Sequence, residues 1–145
     1  MVGYLFVAGS IPFVVLGLVH IAYSILDASR PSKIVPREPD LIERMKAGRL
    51  VLTRETTVWR AWIGFNISHG VGVLLFGLII LCAALFGFEA NLSAMPALFY
   101  ASPLVAAIYL GLSLKYWFRV PAIGSGIGAV LLAAGVILIL SGALT

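Results

Sequence analysis

Four long apolar runs, each ended by a short polar or proline-bearing break, decide what this chain can become. They extend from about Gly3 to Leu26, Trp59 to Phe88, Pro96 to Phe118 and Pro121 to Ala143. A helix rises ~1.5 Å per residue, so about 20 apolar residues cross the hydrocarbon core of a bilayer. Each run is that long. The breaks between them read "DASRPSKIVPREPD", "EANLSAMP" and Arg119-Val120-Pro121. Only 11% of the residues are charged, against about 25% in soluble domains, so the runs are read as membrane spans rather than core helices. The expected fold is all-α: an integral membrane four-helix bundle forming a single domain over 1–145. Pro12 and Pro103 fall inside spans and are expected to bend them, which neighbouring helices can accommodate. The lone Cys82 excludes an internal disulfide or a CxxC site and reads as a small buried apolar residue.

The charges set the orientation. Arg30, Lys33, Arg37, Arg44, Lys46, Arg49, Arg54 and Arg60 lie between the first two spans, and Lys115 and Arg119 lie between the last two; together they are all ten basic residues. With four spans, both segments fall on one side of the membrane. The positive-inside rule makes that side cytoplasmic and sends both termini outward, N-out and C-out. Localisation in a bacterial inner membrane is expected. The same placement accounts for the basic balance without nucleic acid. Met1 to Tyr4 carries no basic residue and the following run is too long for a signal peptide, so the first span is read as a retained helix. Asn91-Leu92-Ser93 matches a glycosylation sequon but is read as a short turn against the membrane. Within the cytoplasmic loop, 27–58, Asp40 and Glu43 have capping-box character, Leu41, Ile42 and Met45 form an apolar edge, and Gly48 is a stop. A short amphipathic helix on the membrane surface is expected there, beside "RLVLTRETT". A basic segment so placed attracts anionic lipid.

Heptad spacing, the geometry of left-handed bundles, collects the small and polar residues of every span on one stripe. The stripes are Ser10, Phe13, Gly17, His20, Ser24 and Asp27; Trp59, Trp62, Asn66, His69, Val73 and Phe76; Ser102, Ala106, Tyr109, Ser113 and Tyr116; and Pro121, Ser125, Gly128, Leu132, Gly135 and Gly142. Gly124-Ser125-Gly126-Ile127-Gly128 is a small-xxx-small contact site. His20 is expected roughly 10 Å from the cytoplasmic end of its helix and His69 roughly 15 Å from the start of its own. Asn66, Tyr23, Ser24, Tyr109, Ser113 and Ser125 fall in the same half, so a polar cluster is expected in the cytoplasmic half of the bundle.

Polar groups at membrane depth are costly unless paired, and they mark functional sites or interhelical hydrogen bonds. His20, Tyr23, Ser24, Trp59, Arg60, Trp62, Asn66, His69, Tyr109, Ser113 and Ser125 are therefore the candidate ligand-binding residues. An apolar ligand, lipid or quinone, suits a pocket with a few orienting polar groups. The alternative is a b-type haem held by His20 and His69 for electron transfer, with Gly17, Gly70 and Gly128 making room for the macrocycle. Zinc would need a third ligand, for which only Asp27 offers itself, and no metal site is expected. No span carries an Asp or Glu in its middle, which argues against a proton-coupled exporter, and "GSGIG" has no preceding strand to make it a nucleotide loop.

The segment "TTVWRAWIGFNISHGVG", Thr56 to Gly72, resembles one found in an uncharacterised family of small four-pass bacterial membrane proteins. The resemblance rests on Trp-x-x-Trp followed by Asn-x-x-His and implies the fold alone, with no activity. The expected function is non-enzymatic: an accessory or assembly subunit, or a binder of an apolar ligand at the polar cluster. Expected partners are membrane lipid, larger membrane subunits, or a second copy through the Gly-rich helix 121–143.

Overall fold

The computed structural model describes residues 2–142. Among them six helices follow in order: α1 (Val2–Ser29), α2 (Pro39–Ala47), α3 (Val58–Leu85), α4 (Phe88–Ala94), α5 (Pro96–Tyr116) and α6 (Arg119–Leu140). No β-strand occurs among the described residues; Arg49 and Thr57 form one isolated antiparallel bridge. The helices α1, α3, α5 and α6 are long and apolar enough to cross a membrane, and they fall on the four expected runs. Ala143, the expected end of the fourth run, lies outside the described residues. Pro12 and Pro103 sit inside continuous α1 and α5.

Local chemistry explains where the helices start and stop. Thr57 accepts the Arg60 N–H on its hydroxyl at 3.2 Å, an N-cap at the start of α3. Pro39 and Pro96 open α2 and α5, positions where the missing N–H costs nothing. The second run was expected to continue to Phe88, but α3 ends at Leu85. Gly87 has φ +98°, a left-handed conformation that breaks the helix, and Phe88 begins α4 instead. Asn91 of the sequon then donates from Nδ2 to the carbonyls of Ala83 (2.9 Å) and Phe86 (3.0 Å), closing the open end of α3. In α2 the capping box does not form: Glu38 is the N-cap without a side-chain bond, and Glu43 pairs with Lys46 at 2.7 Å. Gly48 ends α2 as expected, its N–H reaching the Arg44 carbonyl at 2.7 Å.

The chain divides into two compact units, Met1–Leu16 with Val73–Thr145, and Gly17–Gly72. In the first, the leading part of α1, the trailing part of α3, α4, α5 and α6 share a core that includes Phe6, Phe13, Ile80, Phe99, Ala106 and Leu132. Two aromatic triangles anchor it. Phe6, Phe88 and Phe99 meet at centroid distances of 5.0–5.7 Å, and Phe13, Phe76 and Tyr109 at 4.8–6.0 Å. Glycines permit the close approaches. A Cβ on Gly128 would stand 2.4 Å from Cε2 of Phe13 and 2.8 Å from the Gly9 carbonyl; one on Gly77 would stand 2.8 Å from the Val14 nitrogen. The helices α5 and α6 pack on each other as a hairpin.

The expected stripe is visible in the burial of α1, where Ser10, Phe13, Gly17, Ser24 and Asp27 are buried and His20 half-buried; the buried line also reaches back to Phe6, which the stripe did not include. In α6 the buried line is Ser125, Gly128, Leu132, Gly135 and Ile139; Gly142 lies beyond the helix and is exposed. Two aromatics leave their stripes: Trp62 is 40% exposed and Tyr116 65% exposed. Both sit near helix ends, where an amphipathic ring is stable facing the interface. Cys82, expected inside, faces outward; its apolar neighbours signal lipid as readily as core.

Candidate functional site

The second unit contains most of the expected cluster. It joins the trailing half of α1 to the leading half of α3 through the basic loop and α2. The helices approach closely at Gly70, where a Cβ would stand 2.7 Å from Cγ1 of Ile21 and 3.2 Å from the Ile21 nitrogen. Beside this contact the two histidine rings meet edge to face, with centroids 5.2 Å apart and planes at 80°. His20 Nε2 lies 3.1 Å from Oδ1 of Asn66, and Nδ2 of Asn66 donates to the Trp62 carbonyl at 2.8 Å.

These bonds assign the proton. A backbone carbonyl only accepts, so the amide nitrogen of Asn66 must face Trp62 and its oxygen must face His20. His20 therefore donates from Nε2–H to the Asn66 oxygen. Ser24, buried one turn on, donates from its hydroxyl to the His20 carbonyl at 2.7 Å. His20 lies nine residues from the end of α1, and Asn66 and His69 lie eight and eleven from the start of α3. At ~1.5 Å per residue the three lie at similar depth, about 12–17 Å inside the helix ends.

Nearer those ends, aromatic rings meet lysines. Lys33 Nζ lies 5.8 Å from the Tyr23 ring centroid and Lys46 Nζ 6.0 Å from that of buried Trp59, within cation–π range. Arg60 is exposed. The remaining expected residues belong to the first unit. There Tyr109 joins the aromatic triangle with Phe13 and Phe76, Ser113 is buried, and Ser125 donates to the Pro121 carbonyl at 2.7 Å.

Asp27 is the residue that sequence reasoning undervalued. It stands on the expected stripe, two residues before the end of α1, and is fully buried. Oδ1 accepts the N–H groups of Ser32 (2.8 Å) and Lys33 (2.9 Å), and Oδ2 accepts that of Ile34 (2.8 Å). Three donors satisfy a buried carboxylate without a cationic side chain, and they fold the loop back over the end of α1. The available signal was its place on the stripe, seven residues after His20.

The histidine geometry bears on haem. Two axial imidazoles must face each other across the iron and its macrocycle. Here the rings touch, His20 Nε2 is engaged with Asn66, and Gly70 and Gly128 are filled by Ile21 and Phe13. This arrangement does not fit a haem between His20 and His69. No group of three His, Cys, Asp or Glu side chains among the described residues is placed to hold a metal ion.

No family model matches this chain, and neither the curated proteins nor the solved structures contain a match.

Proposed function

We propose that the chain is an integral protein of a bacterial inner membrane that binds the polar head of an apolar ligand, a quinone or a lipid, at His20, Asn66 and His69. The reading assigns the basic loop and α2 to the cytoplasmic side, with α2 amphipathic on the membrane surface, and both termini to the outside. Its main support is the half-buried trio of two imidazoles and one amide, set well inside two long, mostly apolar helices. Such groups gain little from lipid tails and much from a ligand carbonyl or phosphate. Asn66 holds the His20 ring by its Nε2–H, so the orientation of that imidazole precedes ligand binding. His69, packed against it, supplies the second ring. Trp59 and Trp62 lie one to two turns away along α3 and report on occupancy.

The test is a tryptophan-fluorescence titration of detergent-purified protein with a short-chain ubiquinone analogue and, separately, a short-chain phospholipid. Saturable quenching or enhancement by either ligand is expected, with at least tenfold weaker binding in Asn66→Leu and His69→Leu. A response that does not saturate, or that is the same in both variants, overturns the reading. A Soret band in the purified protein, lost in both His20→Ala and His69→Ala, would replace it with the bis-histidine haem alternative.

A further inference from the structure

The segment between α2 and α3 presents a feature that the ligand reading does not use. Arg49 and Thr57 pair in an antiparallel bridge, and the Val58 N–H donates to the Gly48 carbonyl at 3.1 Å. Together they close residues 49–57 into a loop with a fixed base. At its tip Val51 and Leu52 are 109% and 93% exposed, and Arg49 and Arg54, both exposed, flank them. Single exposed aliphatic residues are ordinary. Two adjacent ones at full exposure, on a loop tied down at its base and bracketed by arginines, form an amphipathic tip.

We infer that this loop is a lipid anchor: Val51 and Leu52 enter the interfacial layer of the bilayer crossed by α3, while Arg49 and Arg54 bind anionic headgroups. Three observations select the bilayer as occupant. The base of the loop is contiguous with the first residue of an apolar helix long enough to span a bilayer, and the exposed Trp62 suits an interface at that helix end. Leu52 precedes α3 by six residues, which limits its reach to about 20 Å when fully extended, and the bridge shortens that reach. The charge is complementary as well, because basic side chains near a cytoplasmic leaflet are drawn to its anionic lipids. Glu55 opposes this attraction, and the arginines outnumber it within the loop. Arginine suits the task, since its planar fork binds phosphate oxygens in pairs.

The inference does not depend on the His20 cluster, and its test uses a different readout. Full-length protein carrying Cys82→Ala and Val51→Cys would be spin-labelled at position 51 and reconstituted into nanodiscs of pure phosphatidylcholine or of phosphatidylcholine with 30 mol% phosphatidylglycerol. Accessibility to oxygen and to a water-soluble nickel chelate reports depth. In the anionic discs the label is expected to favour oxygen at least threefold more than in the neutral discs. That preference should fall with added salt, and should fall in Arg49→Gln/Arg54→Gln and in Leu52→Ser. These exposed positions leave the fold intact, which circular dichroism verifies. A label open to the nickel chelate in anionic discs overturns the proposal. So does a label shielded from both reagents in every lipid, which would mean that the tip packs against protein.

Discussion

Asn66 is bonded at both ends of its amide, to the Trp62 carbonyl and to the His20 ring, so a change there acts on both α1 and α3. Asn66→Leu is expected to weaken folding by about 0.6 kcal/mol and at most about 1.7 kcal/mol, the range for interhelical hydrogen bonds in membranes. Unfolding by graded addition of a denaturing detergent, followed by circular dichroism, measures this. Asp27→Asn should have a larger local effect. The amide keeps one acceptor oxygen but turns an NH₂ toward a backbone N–H, a loss of about 1–3 kcal/mol. Hydrogen exchange of the Ser32, Lys33 and Ile34 amides should accelerate accordingly, with exchange in the first unit unchanged. At this scale the sequence carried depth and face but not atoms. Counting turns set His20, Asn66 and His69 at one level, because helical rise is constant. The partners of Asp27 were not legible, since they are backbone N–H groups in an irregular loop that follows no periodicity; only its place on the stripe pointed inward.

Helix–helix contacts turn on side-chain volume. Gly128 faces the Phe13 ring and the Gly9 carbonyl with no room for a methyl group, whereas nothing lies within 4 Å of a Cβ added at Gly111. Gly128→Ala is expected to destabilise by about 1–3 kcal/mol, the usual range for overpacking. Gly111→Ala should be neutral or stabilise by up to about 1 kcal/mol through helix propensity. Thermal unfolding of the two variants in one detergent separates them, and equal shifts would contradict the packing of α1 on α6. The spanning helices were readable because apolar run length is a direct consequence of bilayer thickness. The separate helix α4 was not, because Phe88 is as apolar as the run before it. Only the conformation of Gly87 reveals the break. The register of α1 was readable down to single residues, as its small and polar side chains mark the seam themselves, while Cys82 shows that apolar surroundings do not distinguish lipid from core.

For the molecule as a whole, orientation rests on the distribution of charge. All ten basic residues lie in two segments, and Glu89 stands in α4, between α3 and α5. With Cys82 replaced by Ala, Glu89→Cys is expected to react with a membrane-impermeant maleimide on spheroplasts. Arg37→Cys, exposed in the loop before α2, should react only after the membrane is opened. The reverse pattern would invert the topology and remove the lipid anchor from the cytoplasmic leaflet. The buried serines also matter at this scale. Ser10, Ser24, Ser102 and Ser125 each donate to a carbonyl of their own helix, so these hydroxyls are satisfied before any neighbour arrives. As the chain leaves the ribosome, α1 can thus enter the bilayer ahead of the others with its serines already paired. The bond between His20 and Asn66 has to wait until the loop has been synthesised and α3 has followed. The order of translation thereby makes this contact a late one, which closes only once both α1 and α3 are present.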